Sequence, residues 1–214
     1  MSFRMPLAAL MFLAASPALA ELEISVYTGV QTAPHSSVEG NNNGVPFDFG
    51  VEWEGRSGDA PPYYGLRLTW WQNEKWGYGV EMNHAKVYAD DDTLRDSGFT
   101  DLEFTDGLNL VTINGFRRWQ QDDSRWTPYV GAGVGLAIPH VDIQVGSNDT
   151  FGYQITGPAV VAMAGVNYEI TDTWSVFGEY KGSFSSNTVD LDGGGDLQTD
   201  IVTNALNLGL SFNF

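Results

Sequence analysis

The last residues of the chain, Ile201–Phe214, alternate so regularly that they constrain the fold more than any other stretch. Val202, Leu206, Leu208, Leu210, Phe212 and Phe214 fall on one face, and Thr203, Asn207, Ser211 and Asn213 fall on the other. Successive side chains of a β-strand point to opposite faces, so this reads as a strand with one apolar face and one small polar face. Such a strand suits the boundary between lipid and a filled barrel interior. A soluble sandwich strand alternates as well, so repetition along the chain has to decide.

Alternation bounded by turn residues recurs in nine segments: 22–31, 47–54, 63–73, 76–89, 107–118, 127–138, 156–170, 174–185 and 201–214. Single-chain bacterial barrels have an even strand number, short periplasmic turns and longer outer loops. The short connections are Gln72 to Lys75, Gln120 to Arg125 and Thr171 to Thr173. If these are periplasmic, segment 47–54 must belong to a long first outer loop as a local extension. Eight spanning strands then remain, with outer loops near 32–62, 90–106, 139–155 and 186–200. The expectation is an all-β fold: an eight-stranded antiparallel transmembrane β-barrel of the outer-membrane type, over residues 21–214.

Residues 1–20, MSFRMPLAALMFLAASPALA, read as a cleaved signal peptide. Arg4 precedes an apolar run from Met5 to Ala15, and Ala18-Leu19-Ala20 forms a small-x-small cleavage box. The run is too short for a spanning helix, and no later segment reaches 18 consecutive apolar residues. The chain is therefore expected to be exported to the outer membrane. It carries 27 acidic and 10 basic side chains, a net charge of -17, which excludes a nucleic-acid groove because phosphate binding needs a basic stripe. It has no Cys, so disulfides, thiolate zinc sites, iron–sulfur ligation and thiol nucleophiles are excluded together.

Trp70, Trp76, Trp119, Trp126 and Trp174 lie beside the short turns, and Phe212 and Phe214 close the last strand. Amphipathic rings gather at membrane–water interfaces, so this girdle supports the same topology. Eight strands enclose an interior that side chains fill, which excludes a porin. Glu23, Arg67, Glu81, Asn167, Glu169, Glu179 and Lys181 take the interior phase, where they are expected to form a buried ion network.

Four motifs have bland readings. Gly131-Ala132-Gly133-Val134-Gly135 lacks the third glycine, helix and βαβ unit of a dinucleotide loop; lumen glycines making room for Tyr27 or Trp71 explain it. Asp190-Leu-Asp192-Gly-Gly-Gly-Asp196 lacks a complete Ca²⁺ ligand set and reads as a solvated loop. Asp90, Asp91 and Asp92 read the same way. His35-Ser36-Ser37 allows a serine-hydrolase reading, with no oriented third group evident.

The chain has three histidines, His35, His84 and His140, and each falls at the outer end of a predicted strand. Unrelated surface residues would explain this as coincidence. The functional expectation is that they converge over the barrel mouth, with Asp142 as a carboxylate partner, in a donor set that suits Fe, Mn, Cu or Zn. Parity qualifies it: His84 follows the lipid-facing phase of Tyr78, Val80 and Met82, so a bulge is needed to turn it inward.

Much of the chain resembles the lipid A oxidases, outer-membrane barrels of α-proteobacteria. The resembling segments are VYTGVQTAPHSS (26–37), PPYYGLRLTWWQNEKWGYGVEMNHAKVYA (61–89), DLEFTDGLNLVTING (101–115), RWTPYVGAGVGLAIPHV (125–141), ITGPAV (155–160), WSVFGEYK (174–181) and IVTNALNLGLSF (201–212). WSVFGEYK and RWTPYVGAG are common to many small barrels; TAPHS, PPYYG-x-R-x-TWW and PHV are the more specific stretches. The resemblance implies O₂-dependent oxidation of the proximal glucosamine of lipid A to 2-aminogluconate in the outer leaflet, with release of hydrogen peroxide. No residue roles are carried over from the family. Triplet O₂ reacts slowly with a sugar unless a metal or flavin mediates, and a histidine/carboxylate transition-metal site is what this chain could supply. His35, His84 and His140 are thus the candidate catalytic residues and, with Asp142, the candidate metal ligands. Lys86 and Arg56 are candidates to hold phosphates or acidic sugars of lipopolysaccharide, against a bland reading of interfacial snorkelling. The alternatives are a non-enzymatic surface barrel that binds lipopolysaccharide or a partner, and a lipid A deacylase. Oligomeric state has no signal in the sequence.

Overall fold

The computed structural model describes residues 21–214, and the expected signal peptide lies outside them. In chain order the elements are β1 (Glu21–Thr32), β2 (Ser36–Asn42), β3 (Val45–Val51), β4 (Trp53–Glu54), β5 (Tyr64–Trp71), β6 (Trp76–Ala89), α1 (Asp91–Ser97), β7 (Phe99–Arg118), β8 (Trp126–Ala137), β9 (His140–Val145), β10 (Asn148–Tyr153), β11 (Gly157–Glu169), β12 (Trp174–Asp190) and β13 (Gly195–Asn213). Strands β1, β5, β6, β7, β8, β11, β12 and β13 pair antiparallel in that order, and β13 pairs back onto β1. The ring is closed with eight strands, so no barrel edge is left unpaired.

The barrel is inverted with respect to a soluble protein. Val26, Leu66, Val80, Ile113, Val134, Val160, Leu206 and Leu208 project outward and are exposed. At the short-turn end Trp70, Trp76, Trp119, Trp126 and Trp174 are all exposed, and together they form the expected girdle. Among the described residues no helix is long and apolar enough to cross a membrane. The strands supply the lipid-facing surface instead.

The interior is polar at mid-height. Arg67 on β5 donates from Nε to Glu81 (2.7 Å) and from Nη2 to Glu179 (2.9 Å). Lys181 pairs with Glu81 and donates to Tyr27 (2.7 Å), while Tyr129 donates to Glu179 (2.8 Å) and Asn207 does the same (3.1 Å). Two cations thus meet two carboxylates in a hydrogen-bonded layer across the lumen, as the strand phase requires. The glycines of β8 do make room, though for other side chains than Tyr27 and Trp71. A Cβ on Gly131 would collide with Phe116, and one on Gly133 with Asn114.

Beyond the barrel the strands continue into a crown. The β2–β3 hairpin pairs through β2 onto β13, β4 pairs onto the end of β6, and the β9–β10 hairpin pairs through β9 onto the start of β7. Segment 47–54 becomes β3 and β4 of this crown, outside the ring. In the crown Val38, Val51, Trp53, Phe104, Leu197 and Ile201 are buried, in one apolar cluster that continues down the barrel to Tyr27, Phe116 and Phe177. Buried polar side chains, Gln31, Asn187 and Thr199 among them, share this upper interior with the apolar ones. The Asp90–Asp92 run caps a helix and is no loop: the Asp90 carboxylate accepts from Thr93 N (2.8 Å), and Asp91 and Asp92 occupy the first turn of α1. The Asp/Gly stretch at 190–196 is the tight turn that joins β12 to β13, with Gly194 and Gly195 at positive φ.

Candidate functional site

Three polar or aromatic side chains stand in one row across neighbouring strands. Tyr64 on β5 is paired with His84 on β6, and His84 is paired with Asn109 on β7. Directly paired residues share a face. The next row toward the girdle is Leu66, Met82 and Val111, which are lipid-facing, so the row lies on the outer wall one step beyond that band. The register shift in β6 comes later, between Ala85 and Val87. His84 is therefore not turned inward, and it keeps the phase of Tyr78, Val80 and Met82.

His84 is nonetheless buried. Tyr64 stacks on its ring, with centroids 4.9 Å apart and planes at 23°. Gly107 backs it: at φ +98° only glycine fits easily, and a Cβ there would collide with the imidazole. His84 Nδ1 lies 2.9 Å from Asn109 Oδ1. Asn109 Nδ2 donates to Gly107 O and to Ile138 O, each at 3.2 Å. His84 Nε2 is buried with no hydrogen-bond partner.

The other histidines have different settings. His140 opens β9 and is buried between Phe151 (4.4 Å between centroids) and Tyr153 (4.7 Å), and its Nδ1 has no partner. His35 lies in the connection between β1 and β2 with its side chain 67% exposed, and its Nε2 is 3.8 Å from Glu52. Ser36, its neighbour, accepts a bond from Trp53 Nε1 (2.8 Å) and faces Thr199, so no Ser–His pair is set up there. Asp142 on β9 is opposite Phe151. Burial, followed by the nearby Asp101 and Asp149, raises the pKa of its carboxyl.

The expected convergence over the mouth is not what the structure shows. His84 lies on the outer wall instead, in the phase of Val80 and Met82. Among the described residues no group of three or more His, Cys, Asp or Glu is placed to hold a metal ion. His35, His84, His140 and Asp142 thus do not form one ligand set.

The model of the outer membrane protein beta-barrel domain matches residues 5–214. The chain belongs to this family. A search of curated proteins finds no match. Among solved structures the chain resembles OprG of Pseudomonas aeruginosa, with TM-score 0.55 and 15% identity over 91% of this chain and 96% of that one. It also resembles AlkL, solved in DMPC lipid bilayers, with TM-score 0.54 and 14% identity over 100% and 97% of the two chains. The Neisserial surface protein NspA is similar at TM-score 0.51 and 13% identity, over 90% and 97%. At such identities these likenesses establish the fold alone. As an outer-membrane β-barrel, the protein resides in the outer membrane, with its short turns toward the periplasm and its crown outside.

Membership in this outer-membrane family orients the remaining candidates. Lys86 is sealed inside the crown and not at the leaflet surface, with its ammonium 5.3 Å from the centroid of Tyr88. Arg56 packs on the same ring at 4.6 Å and chelates Glu54 through Nε (3.0 Å) and Nη2 (2.9 Å). Neither cation is laid out as a bare phosphate clamp. Tyr64, Gly107 and Asn109 were not singled out by sequence reasoning. The available signal was parity: Asn109 shares the lipid-facing phase of Val111 and Ile113, and His84 that of Val80 and Met82. Two polar residues in lipid phase on adjacent strands make this row the candidate site.

Proposed function

We propose that this barrel oxidises lipid A in the outer leaflet, at the anomeric carbon of the proximal glucosamine, to give 2-aminogluconate. The observation that carries the reading is the position of His84, a buried imidazole with an unpartnered Nε2 on the outer wall at the crown end of the lipid-facing band. A lipid headgroup reaches a barrel from the side, so an enzyme acting on lipid A needs its site on that wall and has no use for the lumen. The row also joins three of the stretches that resemble lipid A oxidases, 61–89, 101–115 and 125–141. Tyr64 comes from PPYYG, His84 from MNHAK, Gly107 and Asn109 from TDGLNL, and Ile138 from the run ending in PHV.

In this reading Nε2 accepts the proton of the anomeric hydroxyl. The C1–H bond breaks as a carbonyl forms; its hydrogen and electron pair, with the proton taken up by Nε2, end on O₂ as hydrogen peroxide. Because triplet O₂ does not take an electron pair directly from a sugar, the transfer needs a redox mediator in addition to these side chains. The resulting lactone takes up water to give the acid. The side chains of His35, His84, His140 and Asp142 are too dispersed to hold one metal ion together. Purified barrel in detergent should consume O₂ and release an equal amount of peroxide when given lipid A with a free anomeric hydroxyl. It should release none with lipid A phosphorylated there. Turnover of neither substrate would remove the oxidase reading and leave a barrel that binds lipopolysaccharide without modifying it.

A further inference from the structure

We propose that Asn109 is the positioning residue of this site: it holds His84 in the Nδ1–H tautomer, so that neutral Nε2 keeps its lone pair for a hydroxyl donor. The inference deepens the oxidase reading and rests on it for the identity of that donor, a sugar hydroxyl of an outer-leaflet headgroup. The tautomer itself follows from geometry alone.

Asn109 can face His84 through either its oxygen or its nitrogen. Its two N–H groups are both taken, one by Gly107 O and one by Ile138 O. The oxygen must then face the ring, and an amide oxygen only accepts. His84 Nδ1, 2.9 Å away, is therefore the donor. A neutral imidazole has one N–H, so Nε2 is bare, and it is this atom that is buried without a partner. The ring has little freedom to flip. Tyr64 covers one face, and Gly107, whose backbone leaves no room for a Cβ, supports it elsewhere. An imidazole that served only as packing would not need an amide anchored at both hydrogens. One that must present the same nitrogen in every cycle does.

The test reads the tautomer directly. The full barrel, labelled with ¹⁵N-histidine in detergent micelles at alkaline pH, is measured by long-range ¹H–¹⁵N correlation, with His84 assigned from the signals lost in His84→Gln. The wild type should show a protonated Nδ1 and an unprotonated Nε2. Asn109→Ala should move the proton to Nε2 in most molecules, while Asn109→Asp, which keeps an acceptor in place, should leave it on Nδ1. With lipid A as substrate, Asn109→Ala should lower kcat for peroxide release at least tenfold with little change in KM, and Asn109→Asp should recover part of the loss. A wild-type ring protonated at Nε2, or an Asn109→Ala ring with unchanged shifts, overturns the proposal. A locked Nδ1–H tautomer in a wild type that releases no peroxide upholds the positioning role and removes the oxidase reading alone.

Discussion

Arg67 and His84 are both buried polar side chains, and parity assigns them to opposite sides of the same wall. Arg67 alternates with the lipid-facing Leu66 and Leu68, so its inward direction, like that of Glu81, Glu179 and Lys181, was legible from the sequence. It bridges Glu81 and Glu179 with both side chains nearly inaccessible to water. Truncation to Ala would leave Glu179 buried without a cation and Glu81 with Lys181 alone, and the cost of breaking such a buried pair is about 3–5 kcal/mol. Arg67→Ala should therefore unfold at clearly lower denaturant concentration than wild type, and an unchanged midpoint would refute the layer. His84 was legible only in part. Its lipid phase could be read, but its burial could not, because burial comes from Tyr64, Gly107 and Asn109 on two other strands. Substitution of His84 by Ala should abolish peroxide release and leave folding intact, since the residue lies at the rim. His35→Ala should retain most activity, because His35 is exposed and directed at Glu52.

Among the elements, the spanning strands were readable because each has one face in lipid and one in a polar lumen, which keeps the period strictly two. The crown strands β2, β9 and β10 were not. Their faces meet an apolar core on one side and water on the other, with charged, glycine-rich sequence such as Glu39, Gly40 and Asn41 in place of a clean pattern. Helix α1 escaped for a different reason: with only Asp91–Ser97, it is too short to show a 3.6-residue period, and its cap reads as a charge run. The β9–β10 hairpin provides a pH test. The pKa of Asp142 is raised above its ordinary 3.8 by burial and by Asp101 and Asp149, so its ionised form opposes the folded hairpin. That penalty is present above the folded value, fades as pH falls through it, and is gone below the unfolded value. Limited proteolysis between Asp142 and Asp149 should slow as pH falls through this window, for a protease whose own activity is held constant by calibration. Asp142→Asn should be protected at neutral pH and lose the dependence. Faster cleavage of the variant at neutral pH would contradict the assignment.

As a whole molecule, the barrel encloses an ionic layer within the spanning section, and one apolar cluster extends from the barrel into the crown. Under the proposed function the reaction takes place on the outer wall, the face that an outer-leaflet lipid meets laterally. A closed ring of eight strands should resist detergent until heated, and the protein should migrate at different positions before and after boiling. If the expected signal peptide is cleaved at its Ala-x-Ala box, the barrel band should begin at Glu21 on N-terminal sequencing, and any other first residue would refute that site. The central claim, that His84 on this wall serves as the base in the O₂-dependent oxidation of lipid A, meets its most direct test in the mass of lipid A itself. Lipid A would be extracted from cells that carry the wild-type chain, the His84→Ala chain or neither. The account predicts that the wild type alone adds one oxygen at the reducing-end sugar, with both chains present as heat-shifted bands in the outer membrane. Lipid A of the same mass in all three, or an oxygen added equally by the His84→Ala chain, would contradict it.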